Sequence, residues 1–212
     1  MIPHRTPFFL PLLFPSLIWR IPPIHKEIYL TFDDGPVEGP TDFVLEKLKE
    51  VNARATFFCI GENVGKHPDI FRRIIGDGHR VGNHTFNHVN GWKTTTADYV
   101  RNVKLNHDHL LQNGARVSPF FRPPYGRITP SQIRSLRQYQ IVMWDVLSRD
   151  FDKGISPDNC LKNTLKAVRP GSIIVFHDSF KAERNLRFTL PRLLESLSAD
   201  GYSFKTLPSC NA

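Results

Sequence analysis

The chain has 212 residues, enough for one domain to bury a core without disulfides or a structural metal. Its composition, 40% hydrophobic and 23% charged, lies in the globular range and argues against a disordered chain. The net charge of +8 favours anionic surroundings, but the basic residues are scattered and no nucleic-acid recognition module is present, so we expect no nucleic-acid partner.

An apolar stretch, FFLPLLFPSLIW, occupies residues 8–19. It is too short to cross a bilayer. Two embedded prolines and the lack of a small-x-small cleavage site argue against a cleaved signal peptide, so the localisation stays open between the cytoplasm and a membrane surface. We expect residues 1–25 either to pack on the single domain of residues 1–212 or to associate with an anionic membrane or envelope surface.

Short apolar runs then alternate with amphipathic helical patterns to the end of the chain. The predicted strands are EIYLTF (27–32), ATFFCI (55–60), HRVGNH (79–84), SPFFRP (118–123), QIVMWDV (140–146), GSIIVFHD (171–178) and YSFKTL (202–207). The predicted helices are Thr41 to Val51 with Thr41 as N-cap, Pro68 to Gly76, Thr96 to Gln112, Thr129 to Tyr139, Pro157 to Ala167 and Leu190 to Ala199. GENVGK (61–66) has one residue too few between its glycines for a phosphate-binding loop.

About seven strand–helix units predict an α/β fold with mostly parallel strands, because helical crossovers cover both faces of such a sheet. In barrels of this kind, reactive residues gather at the carboxyl ends of the strands. The polar residues that follow the predicted strands are Asp33, Asp34, His84, His88, Arg122, Asp145, Asp150, His177 and Asp178. One rim of the fold is therefore expected to hold the chemistry.

His84 and His88 have an i, i+4 spacing that turns two imidazoles to one side of a helix or tight turn. One member of the adjacent pair Asp33 and Asp34 can complete a three-ligand site for a divalent metal, and the other is then free to act as a base. Each pattern also has a simpler interpretation, because Asp-Gly turns and HxxxH spacings are common. The residues between the histidines do not match a zincin helix.

Two further residues could join this chemistry. His177 follows an apolar strand and could serve as a general acid, or it could be an ordinary core histidine. Arg122 is flanked by aromatics and prolines and could pair with one of the aspartates, or it could lie on the surface. The three cysteines, Cys59, Cys160 and Cys210, are widely spaced and indicate neither a disulfide framework nor a cysteine zinc site.

Four short stretches resemble the motifs of the polysaccharide deacetylases, carbohydrate esterase family four. They are TFDDGP (31–36), HTFNH (84–88), RPPYG (122–126) and VFH (175–177), and the resemblance spans about residues 26–207. It implies a distorted (β/α) barrel of fewer than eight units. It also implies the following roles: Asp33 as base, Asp34, His84 and His88 as metal ligands, Arg122 bracing Asp33, the Tyr125 backbone N–H at the oxyanion, and His177 as acid.

The resemblance is weaker at the family's fourth motif, where an Asp followed by Trp is usual. In WDVLSRDFD (144–152) we choose Asp150 as the carboxylate that tunes His177, with Asp145 as a rival. Phe151 then stands where the family has Trp, and Val175 replaces the usual Leu.

The resemblance implies a metal-dependent hydrolase that removes N-acetyl groups from amino sugars of peptidoglycan, chitooligosaccharides or a related glycan. Zinc is the expected metal, with cobalt and nickel as alternatives. Two other hypotheses remain open. The same site could deacylate a lipid-linked or small-molecule amide, or the chain could be a catalytically silent glycan-binding protein.

Overall fold

The computed structural model describes residues 3–116 and 119–208, and the elements below are those of the described residues. The strands are β1 (Glu27–Asp33), β2 (Thr56–Cys59), β3 (Arg80–Asn83), β4 (Phe120–Phe121), β5 (Gln140–Ile141), β6 (Val146–Leu147), β7 (Ile173–His177) and β8 (Ser203–Phe204). The helices are α1 (Phe9–Leu13), α2 (Pro40–Glu50), α3 (Gly61–Lys66), α4 (Pro68–Gly76), α5 (Thr96–Gln112), α6 (Pro130–Ser135), α7 (Pro157–Ala167) and α8 (Glu183–Ala199).

The strands form one sheet in the order β5-β4-β3-β2-β1-β7-β6, with β8 pairing with the start of β1. All of these pairings are parallel, which confirms the α/β prediction. In the register of β1, Asp33 lies opposite Phe58 on one side and His177 on the other. Parallel pairing therefore brings the carboxyl ends of the central strands to one edge.

The run 140–146, predicted as one strand, is divided into β5 and β6, so that prediction was wrong. At its start the run pairs with β4, where the Val142 N–H donates to the Phe121 carbonyl at 2.8 Å. Three residues later the Asp145 N–H donates to Ile173 at 3.1 Å, and the chain pairs with β7. The run thus crosses from one end of the sheet to the other and closes the barrel there.

We call residues 142–145, where the barrel closes, the seam. The described part of the N-terminal segment, residues 3–25, lies over the seam. The Ile18 N–H donates to the Ile141 carbonyl and the Thr6 N–H to the Asp145 carbonyl, both at 2.9 Å. Further along, Leu17 and Trp19 are buried in a cluster with residues of α5 and β4. Backbone hydrogen bonds on both sides of the seam therefore attach the segment to the domain.

The main core lies between the sheet and helices α2, α4 and α8. At its centre the Phe32 ring lies 5.1 Å from that of Phe57 and 6.0 Å from that of Phe176. Six of the seven residues of β1 are buried, as expected for a central parallel strand. Cys59 and Cys160 are buried free thiols, and Cys210 lies outside the described residues.

Helix boundaries differ from prediction in three places. Helix α2 has Gly39 as N-cap, so Thr41 lies inside its first turn. Helix α6 ends at Ser135, shorter than predicted, whereas α8 begins seven residues before Leu190 and continues through Pro191. Across the described ranges, every helix falls short of the length and apolar character that a bilayer span requires.

Candidate active site

The predicted rim residues mostly meet around one cavity of about 430 Å³ at the carboxyl ends of β1, β3 and β7. Its walls include Asp33, Asp34, His84, His88, Tyr125 and His177. Arg122 and Asp150 lie behind these residues, both fully buried or nearly so. Asp145 is the exception and lies elsewhere.

Arg122 braces Asp33 from inside the barrel. One guanidinium nitrogen donates to Asp33 Oδ1 and to Thr31 Oγ1, both at 2.7 Å. The other nitrogens donate to the carbonyls of Val142 at 3.1 Å and Met143 at 2.9 Å. A buried guanidinium with all of these partners holds the carboxylate in one orientation, which is the contact predicted for this pair.

The chain turns sharply at Asp34, whose φ of 81° lies in the left-handed region. This turn sends the Asp34 side chain away from Arg122 and towards the two histidines. Asn63 of α3 holds the turn by donating to the Asp34 carbonyl at 2.7 Å. Burial disfavours the charged carboxylate of Asp34, but the hydrogen bond from His88 and the surrounding imidazoles hold its pKa well below the usual range.

Asp34, His84 and His88 have the geometry of a metal site. Asp34 Oδ1 lies 3.2 Å from His88 Nε2 and 3.7 Å from His84 Nε2, and the three donor atoms all lie within 4.8 Å of one another. Ligands about 2.0–2.1 Å from one zinc ion at tetrahedral angles would be about 3.4 Å apart. The two distances from Asp34 Oδ1 are close to this spacing, so the three residues fit the ligand set of a divalent ion.

The state of His84 suits a ligand. Its Nδ1–H donates to the Arg122 carbonyl at 2.8 Å, which leaves the Nε2 lone pair facing Asp34. Burial is the main reason that the pKa of His84 is lowered to about 4, so the imidazole is neutral near pH 7. A neutral imidazole oriented by a backbone carbonyl is the usual arrangement of a metal-binding histidine.

Asparagines hold the loop between these two histidines. Asn83 Oδ1 accepts from the Thr85 N–H at 2.9 Å and from Asn106 Nδ2 at 3.0 Å. Asn102, one turn earlier on α5, accepts from the Phe86 N–H at 2.8 Å. Because Thr85 and His88 both have positive φ, 65° and 57°, these bonds stabilise a conformation that the loop alone would disfavour.

His177 is paired with Asp150. Asp150 Oδ1 lies 2.8 Å from His177 Nδ1, and Oδ2 accepts from the His177 backbone N–H at 2.7 Å. Burial alone would lower the pKa of His177, but the charge and hydrogen bond of Asp150, together with the charges of Asp34 and Asp33, outweigh burial and raise the pKa to about 9. The ring of Phe151 meets the imidazole edge-on, with centroids 5.0 Å apart.

Asp145, the rival to Asp150, does not contact His177. It accepts from Arg169 through both carboxylate oxygens, at 2.7 and 3.1 Å, and from Ser172 Oγ at 2.7 Å. Asp145 precedes β6, so it lies at the amino end of that strand and away from the rim. Through its ion pair with Arg169, Asp145 connects the seam to the residues just before β7.

Sequence reasoning did not single out Trp144 and Lys181, two side chains that line the cavity. Trp144 forms part of its wall, together with Leu147, Phe151 and Val175, and packs so closely on Gly126 that a Cβ there would lie 2.6 Å from the indole. Asp178, which the sequence analysis placed at the rim, is buried behind Gly35. It accepts a hydrogen bond from the Gly35 N–H at 3.1 Å, and burial raises the pKa of this carboxyl to about 8. Lys181 lies at the cavity edge, its Nζ 5.2 Å from the centre of the Phe151 ring.

A comparison with protein-family models finds one match, described as polysaccharide deacetylase, over residues 20–144, more than half of the chain. The chain belongs to the polysaccharide deacetylase family. This confirms two predictions from the sequence: the resemblance to the polysaccharide deacetylases, and the class of enzyme, a hydrolase of the carbohydrate esterase type. Divalent-metal dependence is a property of that family, and the Asp34, His84 and His88 cluster is consistent with it.

Individual relatives agree with this assignment. A peptidoglycan-N-acetylglucosamine deacetylase of Bacillus cereus is 39% identical over 192 residues, covering 88% of this chain and 69% of the relative. A chitooligosaccharide deacetylase of Azorhizobium caulinodans is 31% identical over 211 residues, covering 89% of this chain and 96% of the relative.

A solved structure resembles the fold closely. It is a peptidoglycan N-acetylglucosamine deacetylase in complex with 4-naphthalen-1-yl-N-oxidanyl-benzamide, with a TM-score of 0.88 and 35% identity over 96% of each chain. The expectation of a distorted (β/α) barrel is therefore confirmed.

Proposed function

We propose that this polysaccharide deacetylase removes N-acetyl groups from amino sugars of a glycan, with peptidoglycan and chitooligosaccharides as the first substrates to test. The observation that carries the proposal is the convergence of three units on one cavity. These are the carboxylate of Asp33 braced by arginine, the imidazole of His177 braced by a carboxylate, and the Asp–His–His cluster. The names of the relatives support the choice of substrates.

The metal proposed for the cluster of Asp34, His84 and His88 is zinc, with cobalt and nickel as alternatives. Two neutral imidazoles and one carboxylate are a common zinc donor set, and three protein ligands leave positions open for water and substrate. When bound, such an ion supplies Lewis acidity to the acetyl carbonyl and acidity to an attacking water.

The residues of the chain perform the proton transfers. Asp33 accepts the proton of the water that attacks the acetyl carbon, and the Tyr125 backbone N–H donates to the oxygen that becomes negative, a contact typically contributing about 3–4 kcal/mol. His177 Nε2 then donates its proton to the amide nitrogen, because Nδ1 is engaged with Asp150. The C–N bond breaks, releasing acetate and a free amine on the sugar.

The apolar wall of Trp144, Leu147, Phe151 and Val175 is proposed to hold the acetyl methyl group. A small apolar surface beside the reacting carbonyl favours acetyl over bulkier or charged acyl groups. Phe151 also covers the edge of His177, so it excludes water from the acid.

The decisive experiment measures acetate released from peptidoglycan, chitooligosaccharides, acetylated lipid-linked sugars and small N-acetyl amides. We expect release from one of the glycans, loss of activity with a chelator and recovery with added zinc. Binding of glycans without acetate release by zinc-loaded protein would instead support the catalytically silent alternative.

Asp33→Asn tests the base. The variant should retain its zinc but lose roughly a hundredfold to ten-thousandfold in kcat, because the amide cannot accept the proton. Asp69→Asn, at an exposed position on α4, is the matched control and should keep wild-type turnover. Turnover of Asp33→Asn close to wild type would remove Asp33 from the base role.

His84→Ala tests the metal ligands. The variant should lose bound zinc by elemental analysis, since one of three protein donors is missing. The control is His25→Ala, which changes an exposed histidine and should retain zinc. An unchanged zinc content in His84→Ala would refute the ligand assignment.

The second candidate substrate is a lipid-linked amide. An apolar cavity of about 340 Å³ adjoins the active site and shares Tyr125, Gly126 and Trp144 with it. Such a cavity offers space for an apolar group next to the reacting acetyl group. Faster acetate release from the acetylated lipid-linked sugars than from the glycans would favour this candidate.

A further inference from the structure

The short helix α1 is apolar at all five positions, and none of its residues is buried. The exposed fractions of the side chains beside and within it are 82% for Phe8, 73% for Leu12 and 65% for Leu13. Contiguous apolar surface of this kind is uncommon on soluble monomers and marks an interaction site. We call Phe8, Phe9, Leu12 and Leu13 the apolar face.

The apolar face is held in place by the domain. Before it, the Thr6 N–H donates to Asp145, and its Oγ1 donates to the Trp144 carbonyl at 2.6 Å. After it, the Trp19 indole N–H donates to the Phe14 carbonyl at 3.1 Å. Since both ends of the segment are attached, the exposure of the apolar face is a feature of the folded chain.

Within the N-terminal segment itself, the charged residues are all basic. Residues 3–26 contain two arginines, a lysine and two histidines but no acidic residue. Arg5 donates to the carbonyls of Lys166 and Ala167, which places the exposed Lys166 beside the start of the segment. Apolar side chains with flanking cations complement an anionic phospholipid surface, where both kinds of contact are satisfied.

The segment also borders the active site. Leu10 and Phe14 line the adjoining apolar cavity, which shares Tyr125 and Trp144 with the catalytic cavity. Tyr125 and the nearby Trp92 are 61% and 64% exposed, and both residue types are favoured at the boundary between lipid and water. A surface that contacts the apolar face therefore lies close to the mouth of the catalytic cavity.

We propose that the apolar face docks on an anionic phospholipid bilayer and thereby presents the active site to acetylated amino sugars carried at that surface. The docking itself is independent of catalysis, whereas the substrate class rests on the function proposed above. The partner is the bilayer, and a second copy of the chain is the competing occupant that the experiment must separate.

The experiment uses the full chain and vesicles of phosphatidylcholine, with or without one-third phosphatidylglycerol. The test variant is Phe8→Ser/Leu12→Gln/Leu13→Gln, and the matched control, Val51→Gln/Leu105→Gln/Leu111→Gln, changes three exposed apolar residues elsewhere. Wild type and control should bind the anionic vesicles roughly tenfold more tightly than the neutral ones, and the test variant should lose that binding.

Two activity measurements separate docking from catalysis. All three proteins should release acetate from a soluble chitooligosaccharide at the same rate, because the substituted residues lie outside the catalytic cavity. On an acetylated amino sugar tethered in the anionic vesicles, only the test variant should be slower. If none of the three proteins released acetate from either substrate, the proposed function would be refuted. The vesicle-binding measurement would then decide on docking by itself.

Three results would overturn the docking proposal. One is equal binding of wild type to both kinds of vesicle, and another is equal loss of binding in the test variant and the control. The third is a wild-type dimer by analytical ultracentrifugation that becomes a monomer in the test variant without vesicle binding by either. That result would identify the apolar face as a subunit interface.

Discussion

At the scale of single residues, the backbone turn between Asp33 and Asp34 separates two adjacent carboxylates. Asp33 ends β1 and is held by Arg122, whereas Asp34 has positive φ and faces the histidines. Two carboxylates side by side would repel each other if they shared one environment. Because Asp33 pairs with a guanidinium and Asp34 faces two imidazoles, the two side chains can take different roles in one cavity.

The pair of His177 and Asp150 leads to a prediction for pH dependence. A general acid must be protonated, so turnover falls as pH rises through the pKa of His177. Asp150→Asn removes the charge that raises this pKa, and the basic limb of kcat/KM against pH should therefore move to lower pH. A bound divalent ion lowers the pKa in both proteins, so the direction of the difference is preserved.

The rival carboxylate provides the control. Asp145→Asn should weaken the ion pair with Arg169 and reduce stability, but leave the basic limb of the pH profile where it is in wild type. A basic limb that moves in Asp145→Asn and stays fixed in Asp150→Asn would reverse the assignment.

The same pair affects stability in metal-free protein. The pKa of His177 is about 9 when folded and about 6.5 when unfolded, so the imidazolium stabilises the fold fully below pH 6.5. This contribution is lost as pH rises towards 9. The difference in free energy of unfolding between wild type and Asp150→Asn should accordingly be largest at low pH and shrink over that interval, as measured by urea denaturation.

Much of the site could be predicted from the sequence, because its acidic and histidine side chains lie at or just after the carboxyl ends of predicted strands. Asp33, Asp34, His84, His88 and His177 were all placed at the rim by strand ends and motif resemblance, and they line one cavity. The choice between two aspartates near the fourth motif was harder. The choice depends on where β5 ends and β6 begins within the run 140–146. The hydrophobic pattern of the run does not show that boundary.

At the scale of elements, helix α3 joins the two loops that carry the metal cluster. Its first N–H groups, from Gly61 and Glu62, donate to the Thr85 and Phe86 carbonyls at 3.2 and 2.9 Å. Asn63, one residue later, holds the carbonyl of the Asp34 turn. Sequence reasoning did not predict this helix, because six residues rich in glycine lack the length and apolar period of a recognisable helix.

Asn102 of α5 gives a test of loop support. Asn102→Ala removes the acceptor of the Phe86 N–H and the donor to Asn87 Oδ1, so the His84 to His88 loop should become less well ordered. We expect the zinc dissociation constant to rise roughly tenfold, as for other changes just outside a metal's ligands. The free energy of unfolding without metal should change by only about 1 kcal/mol.

The control for loop support is Asn113→Ala, an asparagine at the other end of the same helix. It should leave the zinc dissociation constant unchanged. Equal zinc affinity in Asn102→Ala and wild type, measured by competition with a chromogenic chelator, would show that the loop is ordered without this asparagine.

At the scale of the whole molecule, barrel closure depends on residues that are distant in sequence. The pattern of about seven strand–helix units follows from local hydrophobic periodicity, and the sequence predicts it. The structure of the seam does not follow from local periodicity, because the N-terminal segment pairs there with residues more than a hundred positions away. No local pattern in the first twenty residues indicates that partner, so the sequence alone is compatible with both packing and surface association.

The last prediction concerns the attachment of that segment. Trp19 is buried against the cluster that includes Tyr99, Phe121 and Met143, so Trp19→Ala should leave a cavity at the seam and reduce the free energy of unfolding by about 3 kcal/mol. Trp92→Ala changes an exposed indole and should cost less than about 1 kcal/mol. Urea denaturation of both variants measures the difference. Similar losses from the two substitutions would mean that the segment contributes little to the closure of the barrel.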